Sequence, residues 1–572
     1  MITRSKDGIF QPKVLAVMKA PSKKAPSPPK PDYSLTEPPS YKIAAQHPQW
    51  CSAMAAEFDA LQRQSTWVLV PPSPSQNVVG CRWVFKLKRN SDGSINKYKA
   101  RLVAKGFHQQ FGIDFDETFS PVVKPPTVRI ILSLAVQFNW PLRQLDVSNA
   151  FLHGFLREEV YMVQPPGYVD PAHPNHVCKL LKSLYGLKQA PRAWFERFST
   201  ELLHLGFQAS LSDSSLFIFR QGSLVVYLLV YVDDIVLTGN NPQFLSSLIA
   251  QLSSAFELKD LGSLNYFLGL QITRSSKGLF LSQTKYAQDL LIKANMHSSN
   301  PARTPSAPNT RLSPTEGSLL SNPHEYRSLV GSLHYLTFTR PDLSVAVQQV
   351  CQFMSHPTDA HLIAAKRILR YVHGTLNHGI LLQPGPFSLS AFSDSDWAGD
   401  PFDRHSITGY IVYLGFNPIT WSAKKQDTVS RSSTESEYRA LATTTAELYW
   451  LRQVLKDLGI YLSAPPKLWC DNVSALAIAS NPVFHARTKH IEVDYHFVRE
   501  KVLRQDIQIK YIATGDQLAD VFTKSLSTSR LAFLRSKIMV SLDPMVLRGD
   551  VKDSPDSKTE HKLRIEEEDS NG

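Results

Sequence analysis

Two groups of carboxylates are the residues of this chain best placed to do chemistry. The first comprises Asp146, in RQLDVSNAFLHG, and Asp233 with Asp234, in VYVDDIVLTG. Each closes a strand-like run (PLRQL and VVYLLVYV), so pairing of neighbouring strands would bring all three together. Anions about 4 Å apart repel by roughly 4 kcal/mol per pair at an effective dielectric of about 20, so such a cluster calls for cations. Hard oxygen ligands without His or Cys select Mg2+ or Mn2+, and two such ions can activate an attacking hydroxyl and stabilise a leaving pyrophosphate. Asp-Asp at a hairpin tip is, taken alone, ordinary turn chemistry, and the surrounding motifs decide between the two.

The second group is SDSDWAG (Asp394, Asp396), STESEYRAL (Glu435, Glu437), WCDN (Asp471) and GDQLAD (Asp516, Asp520). Carboxylates at strand ends and helix starts again suggest an oxygen-only two-metal site. Glu437, Leu441, Leu448 and Leu455 fall near one helical face, and that face must meet the sheet, so Glu437 points inward in preference to Glu435.

The elements that must position these residues are legible as patterns. PQWCSAMAAEFDALQRQ places Trp50, Met54, Phe58 and Leu61 at helical spacing. Strand-like TWVLV (66 to 70) and CRWVFKLKR (81 to 89) follow, the second joined through the turn NSDG to NKYKARLVAKG (96 to 106) as a basic hairpin. SLVVYLLVYVDDIVLTG (223 to 239) reads as two strands meeting at the aspartates, and a Pro/Ser/Asn/Thr-rich stretch over 298 to 318 marks a boundary or exposed loop. In the helix DAHLIAAKRILRYVHG, Lys366, Arg370 and His373 form a basic face that could track a duplex backbone. A second α/β pattern fills 387 to 525, with strands LSAFSDSDW, TGYIVYLG, LWCDN and IQIKYI.

The 572 residues carry 62 Lys and Arg against 50 Asp and Glu, a balance of +12 that points to an anionic partner such as nucleic acid. With 43% hydrophobic residues the chain can bury several cores. Its longest apolar run, Leu224 to Val232, is too short to span a bilayer, and MITRSKDGIF has no signal-peptide core. The expectation is a soluble protein of the cytoplasm or nucleus, neither secreted nor membrane-bound. Five scattered cysteines without a C-x-x-C pair exclude a disulfide framework and a zinc knuckle.

VYVDDIVLTG, RQLDVSNAFLHG, CKLLKSLYGLKQAPRAWFERF and KARLVAKGFHQQFGIDFDETFSPV together resemble the reverse transcriptase of copia-type LTR retrotransposons, from about residue 45 to 380. The resemblance implies an α+β fold of fingers, palm and thumb, with Asp146, Asp233 and Asp234 as the metal-binding palm carboxylates. It makes Gly186, Lys188 and Gln189 candidates for contact with the dNTP or the template base pair. It makes Lys99, Arg101 and Lys105, on one face of the hairpin by strand alternation, candidates for the triphosphate. LGSLNYFLGLQI (261 to 272) resembles the strand pair that grips the primer. The second α/β pattern resembles the ribonuclease H domain that follows the polymerase in these elements, with Asp394, Glu437, Asp471 and Asp516 as implied ligands. Such enzymes often carry a His in the loop before the last carboxylate, where this chain has Ala513, Thr514 and Gly515.

The expected organisation is a disordered Pro/Lys-rich lead (1 to 40), fingers and palm (41 to 290), thumb or connection (291 to 385), an α/β ribonuclease H-like domain (386 to 527) and a mostly disordered tail (528 to 572). The expected activity is RNA-directed and DNA-directed DNA synthesis with ribonuclease action on RNA/DNA hybrid, using two Mg2+ or Mn2+ ions per site. RNA template, DNA primer, hybrid and dNTPs are the expected partners; the oligomeric state is open. No protease or integrase signature is present, so the sequence reads as part of a longer element. A catalytically silent nucleic-acid-binding relic is the alternative.

Overall fold

The computed structural model describes residues 32–90, 93–308, 311–480 and 492–543. They belong to two units, Met1–Asp116 with Leu156–Ala190, and Glu117–Phe155 with Pro191–Gly572.

In the first unit, the helix Pro48–Arg63 starts on a proline, whose missing N–H costs nothing in a first turn. It buries Trp50, Met54 and Leu61. Trp50 meets Phe85 and Tyr98 edge-on, one from each strand of the hairpin Cys81–Arg89 and Ile95–Ala104. The indole N–H of Trp50 donates to the Tyr33 carbonyl at 2.7 Å, and the Tyr98 hydroxyl donates to that of Ser34 at 2.7 Å. Residues 32–40, expected as disordered lead, are therefore tied to the hairpin; 1–31 lie outside the described residues. A four-stranded sheet, ordered Trp67–Val70, Val177–Lys182, Phe155–Met162, Val78–Val79, completes the unit.

The second unit holds three sheets. One has six strands in the order Leu258–Ser263, Leu142–Val147, Asp234–Gly239, Leu224–Tyr231, Leu216–Gln221, Gln208–Ala209. Another orders Asn417–Lys425, Ile407–Leu414, Leu389–Asp396, Lys467–Cys470 and Gln508–Tyr511, antiparallel on one side of Leu389–Asp396 and parallel on the other. The third runs from Tyr266–Phe267 through Leu270–Ser275, Gly278–Ser282 and His378–Leu382 to Val540–Leu542. Its last strand, and the helix Thr528–Lys537 before it, fall in the expected tail: Leu531, Leu534, Ile538 and Val540 bury enough apolar surface to order 528–543, and 544–572 lie outside the described residues. The basic face of the helix Asp359–His373 is also partly committed. Arg370 Nε donates to Asn300 O at 2.7 Å and His373 Nδ1 lies 2.7 Å from Ser299 O, so two of the three side chains of that face fasten residues 299 and 300. Among the described residues no helix is long and apolar enough to cross a membrane.

One hydrophobic core joins the helix Pro125–Gln137 to the sheet carrying Asn417–Lys425, without a break at residues 290 or 385. Arg129, 3% exposed, lies at that joint. A bulge in the pairing of Ile407–Leu414 with Asn417–Lys425 leaves Ile419 outside the ladder, and Arg129 Nη1 donates to the Ile419 carbonyl at 2.8 Å. Its Nη2 donates to Phe338 O at 2.7 Å, and the guanidinium lies 3.7 Å from the Trp421 ring centroid. Arg129→Met keeps the aliphatic stem but leaves two buried carbonyls without donors, and should cost about 3 kcal/mol. Thermal unfolding followed by circular dichroism should show a drop of several degrees; a change within 1 °C, on the order of measurement error, would remove Arg129 as the joint's polar tie.

Candidate functional site

In the six-stranded sheet, Asp146 and Asp234 are direct antiparallel partners, and Tyr231 pairs with Asp234 across the two-residue turn Val232-Asp233. Val147 N–H donates to Asp233 O at 2.9 Å, bonding the turn to the strand that carries Asp146. The three expected carboxylates thus converge at one rim. Burial pushes the Asp234 carboxyl up to about 6, with Asp233 and Asp146 adding like charge and a hydrogen bond from Gln144 partly offsetting them. Val232 sits at φ +53 while Asp233 does not share a positive φ, the pattern of a II′ turn whose first central position is usually Gly. A β-branched residue there carries strain of about 1–3 kcal/mol.

In the second sheet, the parallel pairing ends at Phe392 with Trp469, and two residues beyond it on each strand Asp394 and Asp471 come close enough for Asp471 to add like charge to Asp394. The helix Ser433–Asp457 lays Leu441, Leu448 and Leu455 into the core and turns Glu437 toward both aspartates. Burial first, then Asp394 and Asp471, push the Glu437 carboxyl up to about 9. Glu435 is buried as well, contrary to the face argument. Its carboxylate is taken by Arg439 (2.9 Å) and the Arg431 N–H (2.8 Å), which leaves Glu437 as the acid facing the aspartates. One oxygen each of Glu437 and Asp471 and the Cys470 sulfur lie within 4.8 Å of one another. Burial raises the Cys470 thiol, and the carboxylate oxygens of Glu437 and Asp471 are the donors matched to a hard cation. Thr514 Oγ1 donates to Asp471 at 2.9 Å from the loop that lacks the expected His.

Asp516 does not join this group: it is exposed on the 3₁₀ turn Thr514–Asp516. The carboxylate that does is Asp520. Gln517, fully buried, donates to Ser393 O at 3.0 Å beside Asp394, and in the following 3₁₀ turn Asp520 lies three residues on and eclipses Gln517. Lys524 Nζ is 2.6 Å from Asp520 and 3.2 Å from Asp394, Arg530 is 3.0 Å from Asp520, and the Thr523 hydroxyl donates to Asp394. Burial raises the Asp394 carboxyl and Lys524 opposes it. The signal for Asp520 was in the sequence, as the i,i+4 pair Asp520 and Lys524 in ADVFTK.

In the first unit, Lys99 and Arg101 are half-buried on the face opposite Ala100 and Leu102, and Arg101 stacks 4.4 Å from the Tyr185 ring centroid. Lys105 follows the strand end at Ala104, so the alternation that would align it with Lys99 no longer applies. Gly186 has φ +91, and a Cβ there would strike the Ala104 carbonyl. Lys188 is exposed, with its Nζ 4.4 Å from the Phe115 ring centroid. Gln189 departs from expectation. It is fully buried, accepts from Gln109 Nε2 at 3.0 Å and donates to Asp114 O at 2.8 Å, so its amide is spent on packing the loop.

Residues 64–308 match the family model described as reverse transcriptase (RNA-dependent DNA polymerase). The chain is 52% identical over 525 residues to the retrovirus-related Pol polyprotein from transposon RE1 of Arabidopsis thaliana, which covers 90% of this chain and 36% of that polyprotein. It therefore spans about a third of that relative's length. It is 32% identical over 308 residues to the putative transposon Ty5-1 protein of Saccharomyces cerevisiae, covering 53% of this chain and 100% of that one. Among solved structures it is similar to the foamy viral protease-reverse transcriptase in complex with RNA/DNA hybrid, at 13% identity and a TM-score of 0.45, covering 90% of this chain and 56% of that chain. The chain belongs to the copia-type retrotransposon Pol family and carries its reverse transcriptase region.

Proposed function

We propose that this chain synthesises DNA on RNA and DNA templates at Asp146, Asp233 and Asp234, and cuts the RNA strand of an RNA/DNA hybrid at Asp394, Glu437 and Asp471, with Asp520 in the role first given to Asp516. The observation that carries the reading is the register pairing of Asp146 with Asp234 next to the Asp233 turn, in a chain of this family. The palm would then comprise the six-stranded sheet, and the sheet from Leu389 to Tyr511 would be the ribonuclease H-like domain. Arg101, Lys99 and Lys105 supply cations suited to a triphosphate. Lys188 does the same two residues beyond Gly186, whose missing Cβ lets that loop pack on the Ala104 carbonyl.

The donors suit hard divalent cations. They are carboxylate oxygens throughout, and Glu437 Oε2 is buried without a hydrogen-bond partner, an arrangement a cation would satisfy. Asp394, Glu437 and Asp471 would hold such an ion in one site and Asp146, Asp233 and Asp234 in the other, two ions per site being the proposal. When bound, magnesium or manganese would lower the barrier to attack by a primer hydroxyl or a water and neutralise the leaving group. Lys524 supplies a fixed positive charge between Asp394 and Asp520, and Thr514 orients Asp471.

Asp233→Asn should lower primer extension on an RNA template by at least about 100-fold while duplex affinity holds, because phosphate contacts by Lys and Arg carry binding. Asp471→Asn should abolish cleavage of labelled RNA in a hybrid and leave extension near the parental rate. Parental extension by the first variant would sink the palm assignment. A parent that binds hybrid but never extends or cuts would favour the silent relic.

Asp520→Asn should cost at least about 10-fold in cleavage and Asp516→Asn less than about 2-fold. The opposite order would restore the original assignment.

Glu437→Gln tests the electrostatics. A carboxyl raised to about 9 binds a proton in the folded state that the unfolded chain releases near 4.5, so its burden on stability grows between those values as pH rises. In chelator, the variant should melt roughly 5 °C above the parent at pH 8 and level with it at pH 4.5. Equal melting at both would mean that Glu437 is already compensated.

A further inference from the structure

We propose that Trp194 is the positioning residue of the Val232-Asp233 turn: its indole N–H clamps the Val232 carbonyl and so fixes the peptide plane from which Asp233 is presented. The inference rests on the DNA-synthesis reading of Asp146, Asp233 and Asp234.

Trp194 is 1% exposed, and a buried indole has a single donor that must find an acceptor. It finds Val232 O at 2.6 Å. The ring cannot shift to follow the turn, because it lies against Phe198 (centroids 5.1 Å), Phe256 (5.5 Å, edge-on) and His153 (5.9 Å). Its backbone is fixed as well: a Cβ on Gly154 would press into the Ala193–Trp194 peptide, so helix and loop pack main chain to main chain. The donor is a rigid post.

Two consecutive carbonyls of the turn are thus held from different elements, that of Val232 by Trp194 and that of Asp233 by Val147 N–H at 2.9 Å. The second bond alone leaves the Val232–Asp233 peptide free to flip about ψ of Val232 and φ of Asp233, which keeps Val232 at positive φ but moves it from the first position of a II′ turn, where Gly is favoured, to the αL position of an I′ turn. Asp233 would turn with it, away from the rim shared with Asp146 and Asp234. The indole bond opposes that relaxation, and among the turn's neighbours it is the contact aimed at the plane in question. This explains how Val is tolerated where a II′ turn favours Gly.

Trp194→Phe keeps an aromatic ring and removes the donor. Without substrate, amide exchange of the segment 226–239, followed by mass spectrometry, should accelerate by about 10-fold. In primer extension, kcat should fall by about 10- to 100-fold, with KM for dNTP and duplex Kd within about 3-fold. Adding Val232→Gly to that variant should restore most of kcat, since Gly occupies the first position of a II′ turn without the strain that drives the flip. A purely packing role for Trp194 would not be rescued this way. Should the Phe variant misfold, 3-benzothienylalanine at position 194 gives the same bicyclic shape without an N–H and is read identically. Parental exchange in the donor-less protein, or a double variant no better than the single, overturns the proposal. A parent that never extends a primer sinks the DNA-synthesis reading instead, and exchange alone then decides the clamp.

Discussion

The backbone ladder between Leu142–Val147 and Asp234–Gly239 is the constraint on which the first candidate site depends. Its register sets Asp146 opposite Asp234, and the two-residue turn leaves Asp233 nowhere else to go. A slip of one residue would send Asp234 to the other face of the sheet, so the hydrophobic alternation that buries Ile235 and Leu237 on one side and Val236 on the other also fixes the carboxylates. The fold spends apolar burial on bringing like charges together, and the raised Asp234 carboxyl reflects first its own burial and then the like charge of Asp233 and Asp146. The second sheet repeats the device with parallel strands: pairing of Leu389–Asp396 with Lys467–Cys470 lines up Asp394 and Asp471, and a long helix adds Glu437.

Much of this was legible in the sequence because strand ends and helix faces follow from periodicity. The hairpin, the two strands meeting at the aspartates and the inward turn of Glu437 rest on local patterns that tertiary packing reinforces. What escaped depends on short-range geometry with no period. Asp516 and Asp520 look alike in GDQLAD, and only the 3₁₀ turn anchored by Gln517 on Ser393 decides which faces Asp394. Lys105 matched the alternation of Lys99 and Arg101 until the strand ended one residue before it. Gln189 has the chemistry to read a base, yet its partners Gln109 and Asp114 lie some eighty residues away in sequence, a distance no local pattern crosses. The residues 528–543 were hidden by a charged neighbouring tail, although Leu531 and Leu534 already marked a buried face.

The two clusters solve the same repulsion unequally. Lys524 and Arg530 pair with Asp394 and Asp520 within the protein and offset part of that half's charge, although burial still raises the Asp394 carboxyl. Glu437 has no such partner for Oε2 and bears its burial as a raised carboxyl. Divalent binding there would therefore couple to folding through both Glu437 and Asp394, since deprotonating those two raised carboxyls is what an ion would make favourable. The Asp394 oxygens are already oriented by Thr523 and Lys524. The lysine then has two opposed effects. It stabilises two buried aspartates beside one another, and it lowers the negative potential that would attract a second cation to the same place. Affinity for an ion at this site would be set by the balance of those two effects, which follows from the spacing of Asp394, Asp520 and Lys524.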